Sequence, residues 1–323
     1  MQVDDIIIIG AGPVGLYAAF YAGMRGLSAH IIEVSEQAGG QPTQIYPEKA
    51  IFDIPGIPRI SGGKLAEDLL KQLQQVDYRM SLGEVVEKIL PSESGFTVRT
   101  DKAEYQAKSV LLATGTGLLK PRKLGLAQEE AYNAAGRVQY FVKNMEDYRD
   151  LRVAVFGGGD SALDWALMLE KVAAEVHLVH RRREFRAHEF TTALVNNSSI
   201  TIHVPYTPAE LTERGILISK VREDEQVELN VDKILVNYGF EINQTTLVDG
   251  LELTRNGKLP VSQQMATELA GLYAAGDACE YVGKVPLIVV GFGEAVTAVN
   301  AIAQTVKFDH PLRKGHSSTI FAG

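Results

Sequence analysis

Two stretches of the chain share one pattern of apolar and polar positions. The first, DDIIIIGAGPVGLYAAFYAGMRGLSAHIIEV, runs from Asp4 to Val34; the second, LRVAVFGGGDSALDWALMLEKVAAEVHLVHRR, runs from Leu151 to Arg182. Each opens with a continuous β-branched apolar run, as expected of a strand buried on both faces. A glycine cluster follows, then a helix with small residues on its first turn, then a second apolar strand. That order predicts the βαβ unit of a parallel sheet. With the two copies about 147 residues apart, the pattern predicts two domains of one kind and not a stacked repeat.

Between the copies lie a Pro- and Gly-rich loop (41–63), a helix with Leu65, Leu69 and Leu73 on one face, and the strand SVLLATG from Ser109 to Gly115. After the second copy come ILISKV at Ile216 and KILVNYGF at Lys233, both of strand type. LAGLYAAGDAC then runs a strand into another glycine turn, a helix is expected from about Glu294 to Val306, and the tail KFDHPLRKGHSSTIFAG follows. The fold class expected is α/β with two Rossmann-like domains. Residues 118–242 form an insert within a first domain made of 1–117 and 243–323.

The glycine turns carry the chemistry. Gly10, Gly12 and Gly15 form a GxGxxG between a strand and a helix. Such glycines permit a tight turn and close approach of a pyrophosphate, which sits on the helix N-terminus. The next strand ends at Glu33, where a carboxylate can accept from ribose hydroxyls. The second turn, Gly157-Gly158-Gly159-Asp160-Ser161-Ala162, fits GxGxxA, with Gly157, Gly159, Asp160 and Ser161 as candidate contacts. Here the following strand ends not in an acid but in His180, Arg181, Arg182 and Arg183, with Arg186 beyond. A 2′-hydroxyl wants a carboxylate, whereas a 2′-phosphate wants guanidinium groups that bind it by charge-assisted bidentate bonds. The alternative is a solvated basic loop that pairs with Glu184 and Glu189. With one Glu-type and one Arg-type turn, FAD is assigned to the first and NADPH to the second. Arg181, Arg182 and Arg186 are placed on the 2′-phosphate and Arg183 in solvent.

Composition narrows the classes. The chain has 323 residues, 46% hydrophobic and 22% charged, with a net charge of −8. An acidic chain argues against general nucleic-acid affinity, which needs a basic face. Its apolar runs fall far short of the ~18 residues of a membrane span. Asp4 and Asp5 stand where a signal peptide would carry positive charge, so the expected address is the cytosol. Cys279 is the single cysteine, which excludes an intramolecular disulfide, a CxxC redox pair and a cysteine-rich metal site. It reads as a small packing residue.

The ordered set GAGPVG, Glu33, GGQ (Gly39, Gly40, Gln41), ATG, GGGDSA, HRRREFRA and AAGD resembles, over essentially the whole chain, the two-dinucleotide-domain flavoprotein reductases of the thioredoxin reductase type. That resemblance implies three-layer ββα domains, with both termini in the FAD domain and the NADPH domain inserted. It also implies that Asp277 binds the FAD ribityl chain, that the following helix aims its N-terminus at the flavin, and that Gly40 and Gln41 contact the isoalloxazine region. The chain departs from the thioredoxin reductases in lacking their CxxC: the segment Gly136 to Gly159 has no cysteine. Thioredoxin reduction is therefore excluded.

YPEK (Tyr46 to Lys49) and the tail GHSSTIFAG carry a closer resemblance, to the ferredoxin/flavodoxin–NADP⁺ reductases of this fold. In that branch Tyr46 and His316 match residues that cover the two faces of the isoalloxazine; Ser317 and Ser318 lie alongside, and Val86 and Leu119 match FAD contacts. An offset aromatic stack holds a planar ring with little loss of side-chain entropy. The implied function is hydride transfer from NADPH to FAD, followed by single-electron transfer to ferredoxin or flavodoxin, with no acid/base residue assigned and dimerisation through the FAD domains. Lys120, Arg122, Lys123, Lys307, Arg313 and Lys314 are candidates for a basic docking patch. Two rival readings are an NADPH:quinone or dye reductase without a protein partner, and a non-catalytic NADP- or FAD-binding redox sensor.

Overall fold

A computed structural model describes residues 3–243 and 247–307. The chain divides into two compact units, one of residues 1–118 with 242–323 and one of residues 119–241.

In the first unit the four-isoleucine run becomes the strand Val3–Ile9, flanked in parallel by Ala29–Ile32 and Glu104–Leu112. Arg79–Ser81 and Leu272–Ala274 extend the parallel sheet on either side. The run is apolar throughout because both faces are covered. Ile6 and Ile8 pack among the helices Pro13–Met24, Gly62–Leu73 and Ile288–Val306. Ile7 and Ile9 pack with Ile89, Phe96 and Val98 of the antiparallel hairpin Val86–Ser92 and Gly95–Thr100. Successive strand residues point to opposite faces, so one unbroken run feeds two cores. Burying each of these isoleucines contributes about 1.5–3 kcal/mol.

Small residues let the helices approach one another. Ala18, Ala19 and Ala22 of Pro13–Met24 and Ala295, Ala298 and Ala301 of Ile288–Val306 are all buried in the same core. The C-terminal helix begins at Ile288, six residues before the expected start near Glu294. Gly291 sits inside its first turn instead of breaking it, because a Cβ there would come within 2.5 Å of a Val14 methyl. At 19 residues and mean hydropathy 1.3 this helix is long and apolar enough to cross a membrane. Its buried face is spent on the core of the unit, as in the core helix of a globular domain.

The second unit repeats the plan. Its parallel sheet runs Thr201–His203, Glu175–Val179, Arg152–Phe156, Lys233–Val236 and Val138–Gln139. The antiparallel meander of Tyr206–Thr212, Gly215–Lys220 and Gln226–Asn230 covers one face, burying Ile216, Ile218 and Leu229 against Ala154, Phe156 and Val236. The helix Asp160–Leu169 buries Ala162, Leu163, Trp165, Ala166 and Leu169. KILVNYGF is two strands and not one: Lys233–Val236 ends, and Phe240–Asn243 begins after Gly239 at φ +80°. In each unit the first and third elements of the βαβ copy are adjacent central strands, so each glycine turn lies at the C-terminal edge of a parallel sheet, the position where such sheets take ligands.

Candidate functional site

The first glycine turn is shaped by close backbone approaches. Gly10 has φ +105°, and a Cβ there would lie 2.5 Å from the Ala113 carbonyl oxygen. A Cβ on Gly15 would lie 1.9 Å from the Gly10 carbonyl. Gly12 caps the helix that starts at Pro13, and no side chain occupies the cap. The first-turn N–H groups therefore remain open to an anion.

A second loop closes on this turn. Gly39 N–H donates to the Ala11 carbonyl at 2.8 Å, and Gly40, at φ +62°, passes so near that a Cβ would come 2.7 Å from Gly12 Cα. Gln41 follows, and its Nε2 donates to Thr116 Oγ1 at 3.0 Å.

Glu33 does more than terminate its strand. It is buried, its Oε2 accepts from Ala11 N–H at 2.7 Å and its Oε1 accepts from Ser35 N–H at 2.9 Å. The carboxylate thus braces the glycine turn, and each oxygen keeps a lone pair for a further donor. Glu84 N–H donates to the Glu33 carbonyl at 2.9 Å, which carries the segment leading to half-buried Val86 alongside.

Tyr46 and Asp277 face a common region. Burial pushes the Tyr46 phenol up to about 12, and the negative charges of Asp277 and Asp53 add to the effect. Asp277 lies in the turn Gly276–Ala278, after the strand Leu272–Ala274. Of the expected residues on the first turn, Leu119 belongs to the strand Leu118–Pro121. His316, Ser317 and Ser318, with Arg313 and Lys314, lie outside the described residues. Among the remaining candidate docking cations, Lys123 is paired with Glu130 at 2.8 Å, and Lys307 reaches Asp5 and the Gly26 carbonyl.

At the second turn a Cβ on Gly157 would meet Ala162 Cβ and the Asn237 carbonyl at 2.6 Å. Asp160 opens the helix, and its Oδ1 accepts from His188 N–H at 2.8 Å. Arg186 N–H donates to the Gly158 carbonyl at 2.6 Å, and Arg186 pairs with Gly159 as a parallel bridge. These bonds fold the arginine loop back along the glycine turn, beside exposed Ser161. Arg181, Arg182, Arg183 and Arg186 are all exposed, and none forms an ion pair among the described residues. Pairing with Glu184 and Glu189, which a solvated basic loop would show, is absent among them.

Residues 4–305 match the family profile described as pyridine nucleotide-disulphide oxidoreductase. The chain belongs to that family. It is 56% identical, over 99% of its length and 100% of the relative, to a protein of Lactococcus lactis subsp. cremoris named ferredoxin–NADP reductase. A Listeria monocytogenes protein named ferredoxin–NADP reductase 2 is 42% identical, over 99% of this chain and 98% of its own. Among solved structures, a thioredoxin reductase of Lactococcus lactis superposes with TM-score 0.77 at 25% identity, covering 94% of this chain and 99% of the other.

Cys279 is wholly buried, its Sγ bonds to the Gly276 carbonyl at 3.3 Å, and burial with the nearby Glu294 carboxylate pushes its thiol up to about 12. A thiol held that far above neutrality is not a nucleophile. Among the described residues no group of His, Cys, Asp or Glu is arranged to hold a metal.

Two further residues stand at the second turn that the sequence did not assign as contacts. His180 packs its ring where a Gly158 Cβ would stand and stacks on Phe185 at 5.7 Å. Burial and the charges of Arg181, Arg182 and Arg186 lower its pKa. The buried atoms His180 Nε2 and Asn237 Oδ1 have no partner among the described residues. Asn237 follows the strand adjacent to Arg152–Phe156, so its place at the turn depends on strand order, which no local pattern states.

Proposed function

We propose that this protein is an NADPH-dependent, FAD-containing ferredoxin–NADP reductase. The observation that carries the reading is the contrast between its two glycine turns, a braced carboxylate at one and, at the other, arginines with no ion pair among the described residues.

The residues present fit both groups. At the first turn no described residue donates to Asp277, Glu33 has lone pairs to spare, and Gly12 and Gly40 leave no side chain between two closely approaching backbones. Gly10, Gly12, Gly15, Glu33, Gly40, Gln41, Tyr46, Val86 and Asp277 are assigned to FAD, with Leu119, His316 and Ser318 from the family resemblance. At the second turn the unpaired Arg181, Arg182 and Arg186 suit a 2′-phosphate, and Gly157, Gly159, Asp160 and Ser161 the pyrophosphate and its helix N-terminus. The orphaned Nε2 of His180 and Oδ1 of Asn237 are buried polar atoms that a ligand can satisfy, and leaving such atoms unpaired is costly.

Bound FAD supplies an acceptor for the two-electron hydride of NADPH that can release its electrons one at a time. The chain's part is to bind, orient and tune. Tyr46, held neutral, offers a ring face and no charge. The open N-terminus of Pro13–Met24 favours negative charge beside it. No proton transfer by a side chain is required.

Domain roles follow: residues 1–118 with 242–323 hold FAD and residues 119–241 hold NADPH. Flavodoxin as a second acceptor, a homodimer and a cytoplasmic site complete the reading. Anaerobic titration with NADPH, followed by oxidised ferredoxin, tests it. The visible flavin band should bleach on NADPH and return on ferredoxin. A band that NADPH leaves unchanged would rule the reading out, and a kcat/KM far higher for quinone than for ferredoxin or flavodoxin would move the acceptor to quinone.

A further inference from the structure

The turn that presents Asp277 is held by a buried ionic cluster that the proposed chemistry does not itself use. Glu294, on the second turn of the helix Ile288–Val306, is buried. Its Oε2 accepts from Gly276 N–H at 2.7 Å. Its Oε1 accepts from Tyr281 Oη at 2.7 Å and from Lys284 Nζ at 2.5 Å. The Lys284 and Glu294 side chains are 5% and 3% exposed. Lys284 also lies over the Tyr281 ring at 5.4 Å and within 3.6 Å of Cys279 Sγ. One carboxylate thereby ties together the residue before Asp277, the loop after it and the C-terminal helix.

The anchored turn also sets the first glycine motif. Gly276 has φ +71°, and a Cβ there would lie 3.1 Å from Val14. A Cβ on Gly291 would lie 2.5 Å from the same Val14 methyl. Val14 is on the first turn of the helix that begins at the GxGxxG. The starts of two helices and the Asp277 turn therefore converge at Val14, and Glu294 is the polar bond across that convergence. A buried carboxylate needs all its donors, and a buried ammonium needs its counter-charge, so removing either partner leaves the other stranded, while a neutral pair of similar size can be accommodated.

We infer that Lys284 and Glu294 are a positioning pair for the cofactor of the first unit, fixing the Gly276–Ala278 turn so that Asp277 meets bound FAD. The inference rests on the proposal that FAD occupies this turn. Its test uses deflavinated full-length wild type, Glu294→Gln, Lys284→Met, the double variant and Tyr281→Phe. FAD affinity is read from quenching of flavin fluorescence, and NADP⁺ affinity from calorimetry. The flavin midpoint potential is measured on the reloaded proteins.

Each charge-breaking single variant should weaken FAD about tenfold or more, with NADP⁺ affinity within twofold of wild type. Lone Lys284 in Glu294→Gln should raise the potential, and lone Glu294 in Lys284→Met should lower it. The double variant should recover both readouts toward wild type, a pattern that loss of packing alone does not produce. Tyr281→Phe keeps the ion pair and should weaken FAD by about threefold, which preserves the test if either single variant fails to fold. Single variants that bind FAD within twofold of wild type with an unmoved potential would overturn the positioning role alone. A wild type that takes up no FAD would overturn the cofactor assignment beneath it.

Discussion

At the residue scale the most informative side chains are those whose partners are missing. Arg181, Arg182 and Arg186 carry no ion pair among the described residues, yet their loop is bonded to the glycine turn through Arg186 N–H and Asp160. Arg181→Ala and Arg182→Ala should each raise the Kd for NADPH about 10- to 100-fold, as expected for loss of a charge-assisted hydrogen bond worth ~1.5–3 kcal/mol. The Kd for NADH should change less than threefold. Equal losses for both coenzymes in a calorimetric titration would remove the 2′-phosphate assignment. These arginines stand out in the sequence by their place, at a strand end where an acid is expected. The double use of Glu33 was not legible, since acceptance from Ala11 and Ser35 N–H depends on how the turn closes. Glu294 was misread as a helix start for a similar reason: its donors come from Gly276, Tyr281 and Lys284, which only folding brings to it.

Elements carry the stability arguments. Gly10 joins a strand to a helix at φ +105° with a carbonyl where a Cβ would sit. Gly10→Ala should lower the unfolding free energy by about 1–3 kcal/mol in urea, from backbone strain alone, and should also weaken FAD uptake. The strands also hold neutral histidines. His30, on Ala29–Ile32, is pushed down to about 4 by burial and then by Arg79, while its Nε2 shares a hydrogen bond with Ser81 Oγ at 2.9 Å. His203 is pushed down to about 4 by burial and by His177, whose Nδ1 is 3.0 Å from His203 Nε2. In the unfolded chain both titrate near 6.5, so between pH 6.5 and 4 the unfolded state binds more protons. Stability from these groups is therefore present above pH 6.5 and is lost as the pH falls toward 4. The thermal midpoint should drop steadily over that range, and His30→Gln should flatten the drop; a profile identical to wild type would place the acid sensitivity elsewhere. The strands and most helices were readable from apolar runs. The early start of Ile288–Val306 was not, because Gly291, a residue that locally discourages a helix, is required there by the closeness of Val14.

On the scale of the whole molecule, two units of one plan offer two glycine turns of opposite charge. Hydrogen exchange should separate them: FAD should protect the backbone around residues 10–16, 39–46 and 276–291, and NADP⁺ that around 157–162 and 180–188. Protection by NADP⁺ at the first set without FAD present would contradict the assignment. Because its alphabet of motifs is local, the sequence by itself determined the βαβ copies, the glycine turns, the acid-versus-arginine contrast and the exclusion of dithiol chemistry by a single cysteine. Each of these depends on residues a few positions apart, or on a residue type being absent. Tertiary structure alone decided that a helix starting at Ile288 packs on the first glycine motif, that Asn237 and His180 flank the second, and that Glu294 and Lys284 form a buried pair beneath Asp277. Those juxtapositions come from strand order and helix packing, which bring together groups 10 to 279 positions apart, and such distances leave no periodic trace in the chain.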